Sequence, residues 1–318
     1  MTTFEEDLFG QLCRLYWLKP ADVPWDFEVL SYVRARIPVA GVVLDVGCGD
    51  GIASSLALGG TLPLTYDRYA ALTGKYQRIG PGQADDLFEN KLTGVAVTGQ
   101  FRQIDIGVDP KEYHLQAARM TNTYCTLLRA TCEEINLPPG SVDFAMAIFS
   151  LYWVDDLTRA VRNIASALRS GGEFVTVMPT EFNGEMHGTN LLLEAYKANG
   201  ARMGMTWFSA MEGNRRQFVN RHAGSRTHWE DFFGRFGLRM VAAEPCIHFQ
   251  RFFLQDTFQR GLFPYFLACS DEVKTPEERM IFIEKFTKPV ARAILTETNA
   301  LKEKEPSAYY LLTLRKVR

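Results

Sequence analysis

Within this chain of 318 residues the densest chemistry lies at Asp45 and the turn Gly47-Cys48-Gly49-Asp50-Gly51. Three glycines at alternate positions let the main chain turn sharply and bring its N–H groups close to a ligand. The helix-compatible run Ile52 to Leu58 follows directly. Its partial positive end would face the same place, so an anionic or polar group belongs there. Asp45 lies in the otherwise apolar run Val42 to Val46, where a carboxylate is costly unless it is paired or hydrogen-bonded. A plain tight turn would account for the glycines but not for that carboxylate.

Positioning such a turn requires a strand before it and a helix after it, and the same unit recurs along the chain. Gln103 to Asp109 predicts a second strand, followed by a helix over Lys111 to Met120. Cys125 to Ala130 predicts a third strand and Val142 to Phe149 a fourth. Asp155 to Leu168 reads as an amphipathic helix stopped at Gly171-Gly172, and Glu173 to Met178 as a further strand. This alternation predicts an α/β fold with a Rossmann-like, doubly wound parallel sheet. Before it, residues 1–40 form an amino-terminal helical segment, with Phe4, Leu8, Leu12 and Leu15 at helical spacing. The cofactor-binding core is expected over residues 41–180, with an insertion at about 61–101, and an inserted, mainly helical cap or lid over 181–227. Residues 228–318 complete the core: a helix at His228 to Phe236, a strand at Leu238 to Ala243, helical residues from about Leu254 to Thr298, and a last strand at Tyr309 to Leu314.

Val43-Leu44-Asp45-Val46-Gly47-Cys48-Gly49-Asp50-Gly51 resembles the first motif of the class I S-adenosylmethionine-dependent methyltransferases, in particular small-molecule enzymes of the type 11-like group. The resemblance extends over Pro139-Gly140-Ser141-Val142-Asp143-Phe144, Phe149 to Leu157 and Leu168 to Gly172, covering roughly residues 42–179. It implies that Asp45 and the backbone at Gly47, Cys48, Gly49 and Gly51 handle the methionine end of S-adenosylmethionine. An NAD fingerprint would space its glycines G-x-G-x-x-G, and position 52 is Ile, so a dinucleotide is the weaker alternative. A carboxylate at the end of the next strand should accept both ribose hydroxyls. Asp67 stands at the expected distance of about 20 residues. Asp109, in Ile106-Gly107-Val108-Asp109-Pro110 before a helix, matches the family pattern more closely and is preferred, with Asp67 kept open. Thr131 replaces the family's adenine-reading Asp; its hydroxyl and the Cys132 N–H could still meet the adenine edge. Phe149, at the end of the fourth-strand run, joins the cofactor set.

Methyl transfer from a sulfonium is an in-line displacement that needs alignment and, for some nucleophiles, a base. The active face should lie beyond the carboxyl ends of the strands. Tyr152 and Trp153 are candidates to line an acceptor pocket there, or to pack in the core; Tyr152 stands where the family often carries His. Tyr152 and His187 are the candidate catalytic residues, His187 being equally readable as a solvated loop residue. Arg221 and His222, in a basic run free of acids, could clamp an acceptor carboxylate or phosphate or simply face solvent. Trp207, among Met203, Met205, Phe208 and Met211, suggests an adaptable apolar lining, or the cap's own core.

Composition narrows the partners. With 47% hydrophobic residues and a formal charge of −2, nothing favours nucleic acid or an acidic membrane. A small-molecule acceptor is the default, and self-association into a homo-oligomer stays open. The six cysteines include no C-x-x-C pair, so no metal site is expected. Glu5, Glu6 and Asp7 stand where a secretory signal carries positive charge, and no apolar run approaches the ~20 residues of a membrane span, which points to a cytoplasmic protein. The expected function is methyl transfer to an O, N or C nucleophile of a small, partly apolar organic acceptor, as in secondary metabolism. The alternative is a divergent protein of the same fold, engaged in non-methyl chemistry or in assembly with a partner.

Overall fold

The computed structural model describes residues 1–70, 94–183, 219–255, 270–301 and 306–317, together with positions 263 and 266. Two helices open the chain, α1 (Thr3–Leu15) and α2 (Asp22–Arg34). The Thr2 hydroxyl accepts from the Glu5 N–H at 3.2 Å while the Glu5 carboxylate accepts from the Thr2 N–H at 2.6 Å, a capping box that fixes the start of α1. The buried stripe of α1, Leu8, Phe9, Leu12 and Leu15, meets α2 through an edge-to-face pair of Phe9 and Phe27.

The apolar run before the glycine turn forms β1 (Val43–Val46), buried on both faces as a central parallel strand must be. There follow α3 (Ile52–Ala57), β2 (Ile104–Asp109), α4 (Glu112–Met120), β3 (Tyr124–Arg129), β4 (Val142–Ala147), α5 (Leu157–Ala167) and β5 (Leu168–Pro179). After residue 218 come α6 (Arg226–Gly234), β6 (Leu238–His248), α7 (Phe249–Phe253), α8 (Pro276–Phe282), α9 (Lys288–Asn299) and β7 (Ser307–Lys316). The seven strands form one sheet in the order β3-β2-β1-β4-β5-β7-β6.

This is the expected Rossmann-like α/β architecture, its alternating strands parallel as read from the sequence and one further strand antiparallel. The first five strands of that order run parallel, but β7 is antiparallel to both β5 and β6. It enters the slot between them from the opposite end, and the sheet is mixed. The strand order reverses beside β1, between β2 and β4, so the crevice for a ligand opens at the carboxyl ends of these strands.

Of the insertion expected at about 61–101, the described ends meet in a bridge between Thr61 and Thr98, so the excursion returns to its origin. Most of the expected cap over 181–227, including His187 and Trp207, lies outside the described residues. Arg251 is fully buried and ties α2 to the carboxyl-terminal helices. It is ion-paired with Glu28 and donates to Thr298 Oγ1 at 2.9 Å and Asn299 Oδ1 at 3.1 Å. Among the described residues no helix is long and apolar enough to cross a membrane.

Candidate active site

The turn after β1 closes on the end of β2. The N–H groups of Gly47 and Cys48 both donate to the Val108 carbonyl, at 2.8 and 2.9 Å. The next N–H, that of Gly49, donates to Asp109 Oδ2 at 3.1 Å. Gly47, Gly49 and Gly51 all have positive φ, of 73°, 56° and 75°, which L side chains avoid. The three differ in what surrounds them. A Cβ on Gly47 would fall 2.3 Å from the Cβ of Ser150, whose hydroxyl donates to the Val46 carbonyl at 2.6 Å. A Cβ on Gly49 would meet nothing within 4 Å. The first glycine is therefore required by packing, whereas the second leaves open space of the kind a ligand occupies.

Asp109 ends β2 and is 6% exposed. Its Oδ1 accepts from the Lys111 N–H at 2.9 Å and meets His114 Nδ1 at 3.1 Å. With Gly49 on Oδ2, about one of its roughly four acceptor positions stays open. Asp67 lies elsewhere: it accepts from Trp17 Nε1 and the Tyr69 N–H, both at 2.9 Å, and pairs with Arg279 at 2.7 Å. It belongs to the segment after Thr61, whose described residues add no strand to the sheet.

Asp45 is almost fully buried, and its Oδ2 accepts from Ser54 at 2.6 Å and Tyr124 at 2.7 Å. Burial pushes its carboxyl up to about 6, against the lowering effect of these two hydrogen bonds. It thus ties the helix after the turn to β3. Cys48 is buried and its thiol is held well above the ordinary range by that burial and by the acids around it. Asp50, in the same turn, pairs with Arg68 at 2.8 Å. Thr131 donates both its N–H and its hydroxyl to Glu134, at 3.0 and 3.1 Å, so its polar groups cap the short turn that begins at Cys132. Cys132 itself is buried.

Beyond the end of β4, Phe149 has a φ of 54°, a conformation uncommon for an aromatic residue and found where surrounding structure imposes it. Its ring stands 6.0 Å from that of Trp25 and 5.9 Å from that of Tyr309. These rings wall a cavity of about 210 Å³ with Tyr152, Trp153 and the carboxylates Asp22 and Asp26. Tyr152 is buried, 5.9 Å from the Tyr309 ring, and Trp153 is 43% exposed. A larger groove of about 490 Å³ lies among Phe4, Arg34, Ile37 and Phe101, by the amino ends of β1 and β2. That is the wrong end of the sheet for the ligand of an open α/β fold. Arg221 and His222 converge on the Val154 carbonyl, each at 3.1 Å, and so brace the loop after Trp153. Neither lines the cavity. Burial lowers the pKa of His222.

The residues that spacing did not reveal come from α2 and its approach. Tyr16 donates to Asp26 Oδ2 at 2.6 Å, and Gln255 Nε2 donates to Asp22 Oδ1 at 3.1 Å. Asp22 and Asp26 stand four apart, which puts them on one helix face with Trp25. That triplet was the available signal. Among the described residues no group of three or more His, Cys, Asp or Glu is arranged to hold a metal ion.

A family model described as a methyltransferase domain matches residues 25–244. Methyltransferase gedG of Aspergillus terreus is 30% identical over 88 residues, a match covering 27% of this chain and 24% of the length of that curated relative. A solved S-adenosylmethionine-dependent methyltransferase of Thermotoga maritima, described as a possible histamine N-methyltransferase, superposes over 92% of this chain and 89% of its own, with 16% identity and a TM-score of 0.43. Another, from Mesorhizobium loti, covers 90% of this chain and 96% of its own, with 16% identity and a TM-score of 0.43.

Proposed function

We propose, on the premise that this chain belongs to the methyltransferase-domain family, that it transfers a methyl group from S-adenosylmethionine to a nucleophilic atom of a small, partly apolar organic acceptor. The observation that carries this is the open side of Gly49 with the Asp109 carboxylate against its N–H. Main chain with no Cβ can approach the cofactor there, and the carboxylate supports the turn while keeping a position for a ribose hydroxyl. When bound, the cofactor supplies an electrophilic methyl group on a sulfonium.

The chain's own residues do the rest. Asp45, through Ser54 and Tyr124, holds the glycine turn in register with β3. Ser150, hydrogen-bonded to Val46, packs against Gly47 and so couples the turn to the loop that carries Phe149 and Tyr152. The rings of Trp25, Phe149, Tyr152 and Tyr309 form the acceptor's wall, exclude water and hold the acceptor in a fixed orientation. Oxygen or nitrogen is the favoured acceptor atom. Calorimetric titration with S-adenosylhomocysteine, with NAD as control, tests the cofactor assignment: binding of the former alone is expected. Binding of neither, or of NAD alone, overturns it.

A further inference from the structure

We propose that Asp26 is the general base of the acceptor cavity and that the acceptor presents it with an aromatic, phenol-type hydroxyl. This rests on the methyltransferase assignment above and adds to it the proton acceptor and the acceptor class. Asp26 lies in α2, lines the aromatic cavity, and uses only Oδ2 for the Tyr16 hydrogen bond. Among the described residues Oδ1 has no hydrogen-bond partner. A carboxylate that lines a cavity beside four aromatic residues, with one oxygen lacking a partner among the described residues, is placed to accept a proton from a bound molecule.

The groups around Asp26 set its basicity. Burial raises its carboxyl to about 7, with Asp22 raising it further and Tyr16, Arg68 and Lys19 opposing. Tyr16 stays a donor, because burial and the Asp26 charge hold its own pKa well above 10. Asp22 is engaged differently, with Gln255 on one oxygen and Lys19 at 3.5 Å from the other. Of the two carboxylates, Asp26 is the one available as a base.

The same groups select the acceptor. A phenolic hydroxyl, with a pKa of about 10, lies within reach of such a base as its bond to carbon forms. An aliphatic hydroxyl, with a pKa closer to that of water at about 16, does not. An alkylamine arrives protonated, and two carboxylates would keep it so, blocking its lone pair. The aromatic lining of Trp25, Phe149, Tyr152 and Tyr309 suits a planar arene, which such rings hold by stacked and edge contacts. In the transfer, the hydroxyl oxygen bonds to the methyl carbon, and the methyl carbon–sulfur bond breaks with its electron pair remaining on sulfur. The hydroxyl proton moves to Asp26 Oδ1, so the sulfonium and carboxylate charges vanish together.

Two measurements on the full chain test this. First, carbon-13 NMR of aspartate-labelled protein without ligand should show one carboxyl, absent in Asp26→Asn, that titrates near pH 7, and the Tyr16→Phe variant should move it upward. Titration of Asp26 in the ordinary carboxylate range, or no response to Tyr16→Phe, overturns the proposal. Second, a panel of hydroxyarenes of one to three rings, matched with the corresponding arylamines and arylalkylamines, is assayed for methylation alongside S-adenosylhomocysteine calorimetry. Methylation of a hydroxyarene is expected, with kcat/KM rising through pH 7 and falling about 100-fold or more in Asp26→Asn, while that variant binds S-adenosylhomocysteine as wild type does. Methylation of amines alone, of no panel member despite S-adenosylhomocysteine binding, or equally well by Asp26→Asn overturns it. Loss of S-adenosylhomocysteine binding by the wild-type protein instead overturns the assignment on which it rests.

Discussion

Replacing Gly49 by Ala separates a glycine kept for a ligand from one kept for the fold. At a φ of 56° an L residue costs about 1–2 kcal/mol. With no atom within 4 Å of the new Cβ there is no further packing cost. Thermal unfolding of Gly49→Ala should therefore fall by only a few degrees, on the order of 2–4 °C per kcal/mol for a large domain. The added methyl occupies the side from which the cofactor would approach. Overpacking a fitted contact costs roughly 1–3 kcal/mol, which is about 5- to 150-fold in Kd. Calorimetry with S-adenosylhomocysteine on Gly49→Ala should show that loss in a folded protein. Gly47→Ala is the contrast, because its Cβ would fall 2.3 Å from that of Ser150, and stability and binding should drop together. Wild-type affinity in Gly49→Ala would refute the assignment of the open space to the cofactor.

Asp109→Ala should weaken S-adenosylhomocysteine binding about tenfold or more, whereas Asp67→Ala should leave binding intact and lower thermal stability, because it strands Arg279, only 8% exposed, without its carboxylate. The reverse ranking in calorimetry and melting would overturn the strand assignment. Asp45 makes a pH prediction: its carboxyl is raised from 3.8 to about 6 in the fold, so the folded state favours the protonated form. The stability this contributes is full below pH ~4 and is lost as pH rises through about 6, amounting to roughly 3 kcal/mol. Melting curves of wild type and Asp45→Asn from pH 4 to 8 should diverge, with wild type losing ground as pH rises. Parallel curves would show that Asp45 does not carry this shift.

The proposed cofactor half of the site could be read from the sequence because it is local. An apolar four-residue strand, alternate glycines and a helix start are contiguous, and the carboxylate ending β2 follows from the same strand-then-helix pattern. Asp45 shows the limit of that approach: its type and place were visible, but its partners Ser54 and Tyr124, the latter on β3, were not. α2 was missed as a wall of the site because Val23, Pro24, Phe27, Val29, Leu30 and Val33 bury most of its circumference and blur its helical periodicity. The antiparallel entry of β7 was equally hidden, since an alternating apolar run does not state its direction.

The proposed acceptor half is assembled from three remote stretches, around Trp25, Phe149 and Tyr309, whose rings pair with one another at 5.6–6.0 Å. No local spacing could reveal that meeting; it depends on β7 lying beside β5 and on α2 being held against β7. The hold on α2 comes from Glu28, two residues past Asp26, which receives the buried Arg251. Arg251 in turn donates to Thr298 and Asn299 at the end of α9. A buried ion pair of this kind contributes little net stability, yet it is costly to break, so it fixes position more than it adds strength. Here the position fixed is that of Trp25 and Asp26 against the end of the sheet. On this proposal, a core of strands and main-chain turns holds the cofactor, while helices pinned to it from both ends of the chain shape what that cofactor meets.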